Sequence, residues 1–88
     1  MNPAIVIVAP EHAPELTDEF GRYVRDYDLH TTTSVAEAEA VSRQVVADGG
    51  QVAMYVAESQ LPDGHVLEAF ARWRAVVPTA RRLVAAHW

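Results

Sequence analysis

The sequence predicts an α/β fold built on a parallel sheet, and two observations carry that reading. Ala4-Ile5-Val6-Ile7-Val8 and Val52-Ala53-Met54-Tyr55-Val56-Ala57 are continuous apolar runs without polar–apolar alternation, which suits strands buried on both faces. The apolar runs alternate with segments whose hydrophobic residues recur at helical spacing. That order argues for parallel strands joined by right-handed helical crossovers.

The first strand, Ala4 to Val8, is bounded by Pro3 and Pro10. From Pro14 to Tyr27, the residues Leu16, Phe20, Tyr23, Val24 and Tyr27 predict a helix. Pro14 is tolerated in a first turn, and Gly21 lowers the propensity of the middle. Leu29 to Thr33 reads as a second strand. Ser34-Val35-Ala36-Glu37 fits a capping box, in which Ser34 takes an N–H three residues on and Glu37 reaches back. Val35, Ala38, Val41, Val45 and Val46 give that helix its apolar stripe, and Gly49-Gly50 supply a left-handed stop.

The third strand, Val52 to Ala57, runs into a polar loop, Glu58-Ser59-Gln60-Leu61-Pro62-Asp63-Gly64. Val66, Phe70, Trp73 and Val77 then repeat at helical spacing until Pro78, with Trp73 read as core. Arg82-Leu83-Val84-Ala85-Ala86 reads as a fourth strand. No repeat, linker or low-complexity segment interrupts the chain, so residues 1–88 form a single domain.

Composition removes several function classes. The chain has 88 residues, half of them hydrophobic, with 7 basic residues, all arginine, against 12 acids and a net charge of −5. A phosphate-backbone binder needs a basic face, so nucleic acid is not an expected partner. Without cysteine there is neither a disulfide nor a thiolate metal site. No apolar run approaches the roughly 20 residues of a membrane span, and no basic segment precedes the first apolar run. The expected location is the cytoplasm. His12, His30, His65 and His87 show no paired ligand spacing, so neither a metal nor a cofactor is expected.

A carboxylate at the end of a strand followed by x-x-Leu-Pro, here Glu58 with Leu61-Pro62, resembles the phospho-acceptor segment of response-regulator receiver domains. The resemblance implies a doubly wound, flavodoxin-like sheet, truncated to four strands in the order 2-1-3-4 with three helices, and lacking the family's last helix-strand-helix. Pro3 to Val8 and Val77 to Val84 look more narrowly like receiver-like domains fused in front of a thioredoxin-reductase-like flavoprotein.

The same resemblance implies that the chemistry is lost. Receivers hold Mg²⁺ with an acidic pair after the first strand, and those positions fall on Ala9 and Pro10, with Glu11 one position late. Glu58 is one methylene longer than an acceptor Asp, which misplaces its oxygens for in-line attack. The hydroxyl position falls on Ala86, and there is no lysine. Glu58 is then either a solvated loop carboxylate or a partial mimic of a charged acceptor. Glu11, His12 and His65 are the other polar residues expected on the site side.

The expected function is that of a pseudo-receiver: a non-catalytic signalling or interaction domain, free-standing or regulating a larger flavin-dependent disulfide-reductase-like protein. The alternatives are a small α/β enzyme using Glu58 with His12 or His65, and an atypical phosphoacceptor at Glu58 or Asp63. With no further helix to cover the fourth strand, Leu83, Val84, Ala85 and Trp88 are the expected interface. Its occupant would be a second copy, forming a homodimer, or a downstream domain of the same polypeptide.

Overall fold

The computed structural model describes residues 2–85. Four parallel strands, β1 (Ala4–Val8), β2 (Asp28–Thr32), β3 (Val52–Glu58) and β6 (Arg81–Ala85), lie in the order β2-β1-β3-β6. The arrangement equals the expected 2-1-3-4 once a small hairpin is counted. That hairpin, β4 (Gln60–Leu61) and β5 (Gly64–His65), occupies what the sequence suggested was a plain loop. It was not legible because each arm has only two residues, too few to show a period.

Helices cover both faces, an arrangement compatible with a doubly wound fold. On one face, α1 (Ala13–Phe20) packs Leu16 against Ile5, Ile7 and Val56. On the other, α2 (Val35–Ala47) and α3 (Val66–Arg74) enclose Val6, Val8, Tyr55 and Ala57. The unbroken apolar run of β1 is thereby explained: alternate residues serve opposite cores, and the whole strand is buried.

The boundaries differ from expectation for local reasons. Past Phe20 the predicted first helix tightens into a 3₁₀ turn at Gly21–Tyr23, leaving Tyr23 and Val24 exposed. Glycine at the junction weakens the α-helical continuation. The third helix ends at Arg74, because Val76 and Val77 both turn their N–H groups back to the Trp73 carbonyl ahead of Pro78. β2 and β6 each start one residue earlier than read, while Ala86 and Trp88 lie outside the described residues.

The centre of the larger core is a polar chain inside apolar surroundings. The Trp73 side chain is completely buried, stacks on Tyr55 with ring centroids 4.8 Å apart, and donates its indole N–H to the Val35 carbonyl at 3.1 Å. The Tyr55 hydroxyl meets Ser42 Oγ at 2.7 Å, and Ser42 donates to the Ala38 carbonyl. Burial raises the Tyr55 phenol above its ordinary value, keeping it neutral. Phe70, which shares the helical spacing of Trp73, is only half-buried at the core's edge.

Candidate functional site

The carboxyl ends of β1 and β3 adjoin at the point where the chain winds outward in both directions, the usual ligand position in open α/β sheets. Glu58 is the last residue of β3, and only 9 % of it is exposed. The solvated-loop reading is therefore corrected. Its Oε2 accepts the backbone N–H of His12 at 2.8 Å and of Glu11 at 3.1 Å. Residue 12 is the N-cap of α1, and its own side chain does not cap that helix. A carboxylate from a strand 46 residues away in sequence thus pins the chain as it enters α1, where the helix dipole also favours negative charge.

Asp63 does the same for α2 from the turn between β4 and β5. Its two oxygens accept the N–H groups of Val35 at 2.8 Å and Ala36 at 3.0 Å. The Val35 bond, joined by the Ala36 bond, holds the carboxyl below its ordinary range. Ser34 Oγ accepts from Glu37, as the capping box requires. Glu37 itself reaches the Thr33 N–H, one residue beyond the expected Ser34. The acids at 58 and 63 are therefore spent on the amino-terminal ends of the first two helices.

His12 places its ring Nδ1 2.9 Å from Glu15 Oε2, one turn into α1. That hydrogen bond, with further help from Glu58, Glu15 and Glu11, raises the imidazole above its ordinary value. Glu11, His12 and Glu58 can each offer one ligand atom within 4.8 Å of the other two, so these are the residues able to hold a cation. Sequence spacing could not reveal the group, since its members come from two distant segments. The expected site-side residues Glu11 and His12 do join Glu58. His65 does not: its Nδ1 accepts the Leu67 N–H and caps α3. Ala9 is buried at the end of β1 and donates its N–H to the Thr32 carbonyl, while Pro10 is exposed; neither has a side-chain oxygen.

Beside the site, β6 forms one outer edge of the sheet, and β2 forms the other. Leu83 and Val84 are each 46 % exposed, and Ala85 is partly buried. Between this edge and α1 lies a groove of about 510 Å³ floored by Leu16, Phe20 and Val56. No helix among the described residues is long and apolar enough to cross a membrane. Comparison with protein-family models, with curated proteins and with solved structures gives no match.

Proposed function

We propose that the chain is a non-catalytic interaction domain of receiver-like design, which accepts no phosphoryl group and works through contacts made at its open sheet edge. It would act free-standing or as the regulatory part of a larger flavin-dependent protein. The observation that supports this most directly is the employment of Glu58. An acceptor carboxylate must present an oxygen to the incoming phosphorus, whereas Glu58 is buried and bonded to two backbone N–H groups. Asp63, in the turn after β3, is also engaged, through both of its oxygens. Incubation with acetyl phosphate or beryllofluoride and Mg²⁺ should leave the mass and the amide spectrum unchanged. A site-specific shift at Glu58 or Asp63 overturns the reading.

A second reading, a small enzyme using Glu58 with His12, is favoured by the closeness of these two to Glu11. It requires the imidazole to act while hydrogen-bonded to Glu15. A hydrolytic activity abolished by His12→Gln with the fold intact would favour this over the first.

A further inference from the structure

The outer side of β6 serves neither the helix caps nor the sheet, although Ala85 packs on the smaller core and Leu16 and Val56 of that core floor the groove beside it. β6 pairs with β3 on one side, and no described strand pairs with the other. The backbone N–H and C=O groups along that side form a template for another strand. The strand is short and carries apolar side chains at its middle, Leu83 and Val84, with about half of each exposed. Charge is distributed unevenly along it. Its first two residues, Arg81 and Arg82, are exposed and basic, whereas its last, Ala85, lines the groove together with Glu15 and Glu19 of α1.

We infer that the edge is occupied by a second copy of this chain, related by a two-fold axis through Leu83, with the two β6 strands antiparallel in one continuous sheet. This rests on the reading of the chain as an interaction domain and names the partner. An antiparallel register centred on Leu83 sets Arg81 of one copy opposite Ala85 of the other. In the present sheet Arg81, Leu83 and Ala85 stand level with Met54, Val56 and Glu58, and Met54 and Val56 pack on the α1 side. Side chains at alternate positions share a face, so Arg81 lies on the face that carries the groove. The two-fold then delivers that guanidinium to the acidic rim made by Glu15 and Glu19 of the second copy, twice over. A parallel arrangement would instead bring Arg81 beside Arg81 and deliver no arginine of the second copy to either acidic rim. The match is local: the chain carries −5 overall, so two copies repel at long range, and only this orientation sets the basic end of the strand against acid.

Sedimentation velocity of the full chain across a wide concentration range tests the assignment. A reversible monomer–dimer equilibrium is expected. Val84→Lys, at a half-exposed position, should raise the dissociation constant more than ten-fold, with an unchanged circular dichroism spectrum. Arg81→Glu should weaken the dimer similarly, and the double variant Arg81→Glu with Glu19→Arg should restore it. Glu19 is chosen for the swap because Glu15 holds His12 at 2.9 Å, whereas the contact of Glu19 with Arg22 is a looser one at 4.0 Å between exposed side chains. A monomer at every concentration overturns the second-copy assignment. A dimer indifferent to Val84→Lys and Arg81→Glu overturns the geometry. Phosphorylation of the same sample by acetyl phosphate would instead overturn the underlying reading, so the two failures are separable.

Discussion

Because Glu58 accepts two backbone N–H groups, the manner of its removal should matter. Glu58→Ala leaves the N–H groups of Glu11 and His12 facing a partly buried gap, a loss of about 1–3 kcal/mol. Glu58→Gln keeps an acceptor oxygen in place and should cost about 1 kcal/mol or less. Urea unfolding of both variants measures the difference, and equal losses would mean that the bonds do not form in solution. Asp63 makes a prediction about pH. Its folded-state value lies below the ordinary 3.8, chiefly through the Val35 N–H. A carboxyl depressed in this way stabilises the fold above its unfolded value and loses that contribution as pH falls through the folded one. Stability should therefore decline below about pH 4, and Asp63→Asn should flatten part of that decline in acid titrations followed by circular dichroism. Neither role was legible in the sequence. The motif around Glu58 and Leu61-Pro62 marked the right place, but the N–H partners lie at least 27 residues away from either acid.

The elements were read best where the local signal agreed with the environment. Ser34 and Glu37 opened the second helix, and its end is a Schellman motif: Gly50 donates to Val45 and Gly49 to Val46, with Gly49 at φ 84°. A substitution at Gly49 would force a side chain into that left-handed conformation. The signal failed where polarity and burial diverge. Ser42 looks like a solvent-facing residue in α2, yet it is fully buried between Ala38 and the Tyr55 hydroxyl. Trp73 and Phe70 looked alike, and only packing separates them. Trp73→Ala should cost about 3–5 kcal/mol, the usual range for a buried aromatic, and Phe70→Ala clearly less. Trp73→Phe tests the indole bond separately, because it retains a ring against Tyr55 while removing the indole N–H from the Val35 carbonyl. Denaturant midpoints would rank the three, and Phe70→Ala matching Trp73→Ala would contradict the packing described.

For the molecule as a whole, topology was more legible than boundaries. The alternation of parallel strands with helices follows from continuous apolar runs and right-handed crossovers, whereas the strand order was implied only by the resemblance to receiver domains. The hairpin, the 3₁₀ turn and the cation-capable group depend on tertiary geometry and leave no periodic trace. The two cores lie back to back on the same strands: Val6 belongs to one and Ile7 to the other. Neither core can dissolve without stripping β1, so unfolding should be a single cooperative transition. Methyl resonances of Val6 and Ile7 should lose intensity at the same urea concentration. Separate midpoints would reveal two independently melting halves.

The central position of β1 has a consequence for synthesis. It leaves the ribosome before the other strands, and its neighbours in the sheet follow much later. Ala4 pairs with Asp28 and with Val52, so 28 − 4 = 24 residues must be added before the one partner emerges and 52 − 4 = 48 before the other. At roughly 5–20 residues per second, about 2–10 s pass before β3 can join it. Throughout that interval, five consecutive apolar residues that end in the interior have no sheet to enter. A nascent chain arrested before residue 52 should therefore bind holdase chaperones through Ala4 to Val8, and one carrying residues 1–88 clear of the exit tunnel should release them.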